Sequence, residues 1–224
     1  MKKLLKHLTV MAAIVGFASS IYAVPTLTLF DGTTTIVVAD ESGLDTSSGI
    51  LGVVTFHGSI GGWTLTIDTG STKPALGTAS VPHMDLSFNA QSAATMVSKF
   101  LRLTFTDDGF TYSGTLHDDW GGTSFGTVVN KVNVDGSTII TQGPLGPGAF
   151  SSSASGSVGL ASSDALSLII EITHAGSRSK QITTGNKDVY GDGVPDAGTT
   201  LALLGLGLTG LGVFGRGRKQ SLPN

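Results

Sequence analysis

The stretch LRLTFT at residues 101–106 decides the fold, because its apolar and polar side chains alternate with a period of two. The same alternation recurs in residues 63–67, 84–88 and 166–172. A strand with this pattern buries one face and exposes the other. Two sheets of such strands bury their apolar faces by packing together, so the sequence predicts an all-β fold, an antiparallel β-sandwich of jelly-roll or Greek-key type.

Two Asp-Gly pairs predict tight turns between these strands. Asp108 and Gly109 separate two alternating runs, and Asp135 and Gly136 separate another two. Asp-Gly suits two-residue hairpin loops, because both residues adopt positive φ there at low cost. The sequence therefore predicts two β-hairpins at these positions.

Three segments interrupt the alternation. Residues 92–98 are expected to form one helical turn. Residues 142–159 contain two prolines and clustered Ser and Gly, which predicts a long surface loop. Residues 177–193 resemble a polar linker, so the β-domain is expected to cover residues 24–176.

The composition limits what this domain can bind. A length of 224 residues leaves room for one β-domain with terminal segments. The chain carries 13 Lys and Arg against 16 Asp and Glu, so its body offers no basic surface for nucleic acid. It contains no cysteine, which excludes disulfides, zinc-thiolate sites and thiol nucleophiles. No cofactor is expected.

The amino terminus has the three parts of a secretory signal peptide. Three lysines within the first six residues precede the apolar run 8–17, and small residues end at Ala23. The apolar run has about half of the roughly 20 residues that a membrane-spanning helix needs, which argues against an uncleaved anchor. Residues 1–23 are therefore predicted to be a helical signal peptide that signal peptidase removes after Ala23.

The carboxyl terminus combines an apolar span with a basic tail. Residues 197–215 are uncharged and, as a helix, measure about 29 Å, close to the hydrocarbon thickness of a bilayer. Arg216, Arg218 and Lys219 follow at once, and such clusters stay on the cytoplasmic side. The sequence predicts a transmembrane helix with a basic stop-transfer tail.

Two alternatives exist for this span. A buried core helix is disfavoured, because each of its several glycines costs about 1 kcal/mol relative to alanine. A permanent membrane anchor is compatible with the length and charge of the segment. The choice between a permanent anchor and a removable one depends on the residues before the span.

Those residues are Val194, Pro195, Asp196, Ala197 and Gly198. Followed by the span and the basic tail, they resemble the sorting signal of PEP-CTERM proteins in the Val-Pro-Asp-Ser-Gly variant, with alanine in place of serine. The resemblance covers about the last 30 residues and implies that residues 194–224 form a sorting segment. It further implies that exosortase, a membrane-embedded transpeptidase, removes the span and tail, so that the inner membrane holds the chain only transiently.

Two short motifs could suggest catalysis. Residues 122–126 fit G-x-S-x-G around Ser124, with His117 and His174 as conceivable bases and Asp118, Asp119 and Asp164 as conceivable acids. A nucleophile elbow requires a helix after the serine, whereas a strand is expected here. The G-x-G-x-x-G match at residues 205–210 lies inside the membrane span, where no phosphate binds. Neither motif predicts an enzyme.

An acidic segment near the sorting motif resembles an incomplete calcium loop. Asp188, Tyr190, Asp192, Gly193 and Asp196 follow the acidic, Gly-centred pattern, but a carboxylate is missing at the third position and no bidentate Glu closes the loop. A polar linker is the preferred interpretation. The four histidines after Ala23 lack the spacing of a zinc site, so no metal is predicted.

The two tryptophans have different expected positions. Trp63 shares a face with Leu65 and Ile67, which predicts a core position. Trp120 lies between acidic residues and glycines, where an exposed loop position would make it a candidate for sugar binding.

The sequence favours a non-catalytic protein exported across the inner membrane and delivered to the cell surface or extracellular matrix, where it associates with exopolysaccharide. The alternative is a carbohydrate- or calcium-binding jelly-roll domain, including a carbohydrate-active enzyme. Two carboxylates facing each other across a concave sheet would favour a glycosidase, and a filled core without a cleft would favour the structural role.

Overall fold

A computed structural model describes residues 24–193, which form twelve β-strands and no helix within that range. The strands are β1 Thr26–Phe30, β2 Thr35–Ala39, β3 Val53–Ile60, β4 Trp63–Ser71, β5 His83–Ser92, β6 Lys99–Asp107, β7 Tyr112–Ser124, β8 Thr127–Val134, β9 Ser137–Leu145, β10 Gly148–Leu160, β11 Leu166–His174 and β12 Gln181–Gly191. The predicted signal peptide and sorting segment, with their two helices, lie outside the described residues. Within residues 24–193, no helix is long and apolar enough to span a bilayer.

The strands form two six-stranded antiparallel sheets. The first sheet has the order β2-β1-β6-β11-β8-β9, and the second has the order β10-β7-β12-β5-β4-β3. Their apolar faces enclose one hydrophobic core, which confirms the predicted all-β antiparallel sandwich. The jelly-roll or Greek-key wiring stays a prediction.

The alternating strands fill this core as the sequence predicts. Leu101, Leu103 and Phe105 of β6 are fully buried, and burying a side chain of this size contributes about 1.5–3 kcal/mol. Between them, Arg102 points outward and forms an ion pair with Glu171 of β11 at 2.8 Å. The period-two pattern therefore determines which face each side chain occupies.

One of the two predicted hairpins is confirmed. Asp135 and Gly136 adopt φ angles of 47° and 78°, and they join β8 to β9 with Val134 paired to Ser137. The second hairpin is wrong, because β6 lies in the first sheet and β7 in the second. The Asp108–Gly109 turn therefore connects the two sheets, because β6 pairs with strands of the first sheet and β7 pairs with strands of the second.

The predicted long surface loop at residues 142–159 is also wrong. Most of this segment is β10, which pairs with β7 along its full length and occupies the edge of the second sheet. Four of its outward positions are serines, whereas Ala154 and Val158 pack against the core. Small residues hide the alternation, because serine, glycine and alanine differ little in hydropathy. Pro144 and Pro147 lie at the corner between β9 and β10.

The predicted linker at residues 177–193 is instead mainly β12, a central strand between β7 and β5. Thr183, Lys187 and Val189 point into the sandwich and are fully buried, so a lysine at an inward position conceals the strand pattern. The β-domain therefore continues to Gly191 rather than ending at residue 176. The predicted helical turn at 92–98 is a bend that carries one isolated bridge, between Thr95 and Ser177.

Candidate functional site

Three carboxylates form a row on the outer face of the second sheet. The strand register places Asp188 of β12 directly opposite Asp85 of β5 on one side and Asp119 of β7 on the other. Opposed side chains have Cβ atoms about 4.5–5.5 Å apart, and like charges in such pairs are destabilising. This row therefore costs folding free energy, which favours a role in binding.

Two groups on this face have raised pKa values, Asp85 in the row and Tyr190 beside it. Burial raises the pKa of Asp85, and the charge of Asp188 adds to the increase. The hydrogen bond that Tyr190 donates to Asp119 at 3.1 Å, together with the charge of that carboxylate, raises the pKa of the Tyr190 phenol. Negative charge on this face contributes to both increases in pKa, after burial for Asp85 and together with the hydrogen bond for Tyr190.

A row of aromatic rings lies next to the carboxylate row on the same face, two residues away along each strand. Tyr190 is directly opposite His117 and His83, stacking on His117 with ring centroids 5.2 Å apart and meeting His83 edge-on at 6.0 Å. His83 Nε2 lies 2.7 Å from Asp188 Oδ1, and His117 Nε2 lies 2.8 Å from Asp192 Oδ1. The rings are thus fixed on a partly exposed surface.

An open hollow of about 660 Å³ adjoins the carboxylate row. Asp119, Asp188 and Asn186 line one side of it, and the serines 151–153 of β10 line the other. Carboxylates, amides and hydroxyls supply both acceptors and donors for hydrogen bonds. We call this surface, with Tyr190 and its two histidines, the polar face; its groups suit a ligand rich in hydroxyls.

The predicted calcium-loop segment has another structure. Asp188 and Tyr190 lie on β12, and Asp192 follows it with its carboxylate beside His117. Asp196 lies outside the described residues. Within residues 24–193, no group of three or more His, Cys, Asp or Glu residues is arranged to hold a metal ion. The spacing of Asp188 and Tyr190 is that of side chains on one face of β12.

Ser124 lies in a buried chain of hydroxyl contacts. Its Oγ is 2.7 Å from Thr183 Oγ1, which is 2.7 Å from Nε2 of His174, and the other ring nitrogen is 2.8 Å from Ser92 Oγ. Burial lowers the pKa of His174 to about 4, so the ring is neutral. The strand β8 follows the motif, as predicted, and no nucleophile elbow forms.

His174 is connected to Ser124 through Thr183, whereas the other conceivable partners are dispersed. His117 and Asp119 lie on the polar face, Asp118 points into the core, and Asp164 accepts a hydrogen bond from the backbone of Ala161 in a loop. The structure does not bring them together around the serine.

The two tryptophans are both buried. Trp63 is 1% exposed and donates a hydrogen bond from Nε1 to the Phe100 carbonyl at 2.8 Å, which confirms its core position. The expected exposed position of Trp120 is wrong, because this ring is 4% exposed and packs against Phe150 at 4.8 Å. It occupies an inward position of β7. The polar Asp118 lies two residues earlier on the same face, so the sequence does not show the apolar alternation of a strand there.

Sequence reasoning missed a buried polar cluster between the two sheets. Four side chains meet there, from β7, β8, β9 and β12: Asp118, Asn130, Gln142 and Lys187. All are at most 6% exposed. The sequence does contain polar residues at inward positions of strands. Only the strand register, however, identifies those positions as inward and shows that the four side chains meet.

Burial shifts the pKa values of the two ionisable groups in this cluster, Lys187 and Asp118. Burial lowers the pKa of Lys187 to about 8, against the opposing influence of the Asp118 charge. Burial also raises the pKa of Asp118, although Lys187, Gln142 and Asn130 act in the opposite direction. Both shifts favour the neutral amine and the neutral acid.

Comparisons with known proteins inform the carboxyl terminus more than the domain. No curated protein matches the chain. The structure of TmCBM61 in complex with beta-1,4-galactotriose aligns over 60% of this chain and 92% of its own, at 8% identity and a TM-score of 0.32. That of infectious bursal disease virus Gx strain aligns over 78% and 58%, at 14% identity and a TM-score of 0.26. At these TM-scores, neither likeness carries a functional argument.

The predicted sorting residues, from Val194 to Gly198 and in the basic tail, lie outside the described residues, as does Ala23. Residues 193–218 of this chain match the VPDSG-CTERM motif, a sorting signal of the PEP-CTERM kind, which confirms the predicted resemblance. The match includes every predicted carboxyl-terminal sorting residue except Lys219.

Proposed function

We propose that this protein is an exported, exosortase-processed component of the cell surface or extracellular matrix that acts without catalysis and associates with exopolysaccharide. The observation that carries the proposal is the VPDSG-CTERM motif at residues 193–218. The motif implies export and sorting, and therefore a sorting enzyme such as exosortase as a partner. It begins two residues after β12 ends, so the whole β-domain precedes the signal.

The termini support this route. The signal peptide ending at Ala23 directs the domain outward, and the span 197–215 holds it in the inner membrane until cleavage. Arg216, Arg218 and Lys219 stay on the cytoplasmic side. The domain therefore faces outward at every stage, and processing delivers it to the surface.

The interior of the domain supports a role without catalysis. Ser124 and His174, the residues that a serine hydrolase would need, are buried and engaged with neighbouring hydroxyl groups. His174 is fully buried, so its ring is closed to a substrate.

Intact-mass analysis of the secreted protein tests the proposed route. The mature species is expected to begin at Val24 and to lack residues 216–224. Pro195→Ala in the motif should leave a membrane-bound chain with its tail, whereas Pro223→Ala, in the tail but outside the motif, should be processed normally. A secreted species that retains residues 216–224 would show that the sorting interpretation is wrong.

A second candidate function is sugar binding by the polar face, favoured by the carboxylate row beside the Tyr190 ring. Binding of purified exopolysaccharide is expected to weaken about tenfold in Tyr190→Ala, which corresponds to about 1.4 kcal/mol. Phe30→Ala, which removes an aromatic ring of the first sheet, is the matched control and should bind normally. Equal binding by both variants would exclude the polar face.

The same preparation tests catalysis. The proposal expects no release of reducing ends from exopolysaccharide. Release that disappears in Asp85→Asn or Asp188→Asn would make the protein a glycosidase with carboxylates on adjacent strands, and the role without catalysis would be wrong.

A further inference from the structure

The buried polar cluster lies between the two sheets and connects them through side-chain contacts. Asn130 belongs to β8 of the first sheet, whereas Asp118 and Lys187 belong to β7 and β12 of the second. Burying an ion pair in a protein core usually stabilises less than apolar packing would. The position of these groups therefore calls for an explanation other than stability through charge.

A nucleophile and an electrophile touch in this cluster. The Lys187 amine contacts Asn130 Oδ1, and it also donates a hydrogen bond to the backbone carbonyl of Lys131 at 2.8 Å. A nitrogen in contact with a carboxamide oxygen lies next to the carbonyl carbon to which that oxygen is bonded. Holding the two groups at contact distance removes most of the entropic cost of a reaction between them.

Asp118 is positioned to move protons between these groups. Its Oδ2 accepts hydrogen bonds from Asn130 Nδ2 at 2.7 Å and from Gln142 Nε2 at 3.0 Å. Its Oδ1 lies 3.5 Å from Lys187 Nζ and has no hydrogen-bond partner among the described residues. One carboxyl group thus reaches both the attacking nitrogen and the leaving nitrogen.

The surroundings favour the reactive forms. Lys187 and Asp118 are both fully buried, and the register places Trp120 directly opposite Lys187. Burial lowers the pKa of Lys187 and raises that of Asp118, so both groups are shifted toward their neutral forms. The neutral amine and the neutral acid are the forms that amide formation requires.

We propose that Lys187 and Asn130 become joined by an intramolecular amide bond, with Asp118 as the catalytic acid and base. The cross-link would connect the first sheet to the second in a chain that contains no cysteine. It requires only residues of the domain, so it does not depend on the proposed sorting or sugar binding.

The reaction balances without a co-reactant. The Nζ lone pair of Lys187 adds to Cγ of Asn130, forming the C–N bond, while the carbonyl π pair moves to Oδ1. Asp118 protonates Oδ1 and takes a proton from Nζ. It then protonates Nδ2, the Cγ–Nδ2 bond breaks, and ammonia leaves as the Oδ1 proton returns to Asp118. No oxidation state changes.

The cross-link has a mechanical consequence. Lys187 lies on β12, the last strand before the sorting motif, whereas Asn130 lies on a strand of the opposite sheet. A force applied through the attached carboxyl terminus would act on β12 first. A covalent bond from β12 to β8 would prevent this strand from being pulled out of the second sheet by itself.

Mass spectrometry of the folded, secreted protein tests the cross-link. The intact mass should be lower than the sequence mass by one molecule of ammonia. Tryptic digestion should yield a branched peptide that joins residues 103–131 to the peptide beginning at residue 181, because modified Lys187 resists trypsin. Separate peptides 103–131 and 181–187 from the folded wild type would overturn the proposal, whatever the variants do.

Variants identify the participating groups. Lys187→Arg and Asn130→Ala should each abolish both the mass loss and the branched peptide. Asp118→Ala should abolish them in protein that circular dichroism shows to be folded; a branched peptide in that variant would overturn the role of Asp118. Lys73→Arg changes the other buried lysine of residues 24–193, whose amine contacts Asp107 and the Asp108 carbonyl instead of a side-chain amide, and should keep the cross-link.

Discussion

Two buried lysines in this domain meet carboxylates in different ways. Lys73 Nζ lies 2.6 Å from Asp107 Oδ2, and the same oxygen accepts a hydrogen bond from Thr72 at 2.8 Å. Lys187 Nζ lies 3.5 Å from its carboxylate, and the carboxamide of Asn130 contacts both groups. The first pair maximises attraction between charges. The second places a reactive carbonyl between an amine and an acid.

The largest expected effect distinguishes these two sites by stability. Asp118→Asn should remove the cross-link between residues 57 apart, which contributes about 4 kcal/mol through the entropy of the unfolded chain. It also leaves Lys187 without its carboxylate, at a further cost of about 3–5 kcal/mol if the amine stays charged. Equilibrium unfolding in guanidinium chloride measures the total.

The Lys73 site provides the reference for this loss of stability. A destabilisation by Asp118→Asn that is no larger than that of Lys73→Met would mean that no covalent cross-link is lost with the carboxylate. Wild-type protein analysed by mass in the same experiment provides the control, because it reports the fraction that is cross-linked.

The second effect concerns the Lys73 pair. Lys73→Met should destabilise the domain by about 3–5 kcal/mol, since it leaves the fully buried Asp107 without a cation. The double variant Lys73→Met/Asp107→Leu should recover most of this loss, because it removes the buried carboxylate together with its cation. Thermal and chemical unfolding of both variants measure the difference. A double variant as unstable as the single one would mean that the loss does not come from the unpaired Asp107 carboxylate.

The same polar interior explains where the sequence was informative. Strands such as β6 and β11 were predictable, because the inward residues over most of their length are large and apolar, from Leu101 to Phe105 and from Leu166 to Ile172. In β7 and β12 the inward positions include Asp118 and Lys187, so the sequence predicts a loop around Trp120 and a linker at residues 177–193 where the structure has strands. The residues that form the cluster are thus the ones that concealed it.

The polar face was unpredictable for another reason. Asp85, Asp119 and Asp188 lie far apart in the chain, and only the register of β5, β7 and β12 brings them into one row. Strand order depends on long-range packing, which the local alternation does not encode. The sorting motif, by contrast, is contiguous and could be recognised from the sequence.

The smallest effect comes from a buried carboxylate with no lysine at all. Asp68 is fully buried; Oδ1 accepts a hydrogen bond from the Asn89 backbone at 2.8 Å, and Oδ2 has no partner among the described residues. Burial raises its pKa from 3.8 to about 7. Between these values the folded state holds a proton that the unfolded state releases, so stability falls as the pH rises, by at most about 1.4 kcal/mol per pH unit.

Asp68→Asn should remove this contribution and flatten the dependence of the unfolding free energy on pH between about 4 and 7, as measured in urea at several pH values. Asp108→Asn, which changes an exposed carboxyl group, is the matched control and should leave the slope as in wild type. An unchanged slope in Asp68→Asn would mean that water reaches this carboxylate in the folded state. A flattened slope would complete the contrast, because the domain would then contain one carboxylate neutralised by a proton, one by Lys73, and one used in chemistry with Lys187.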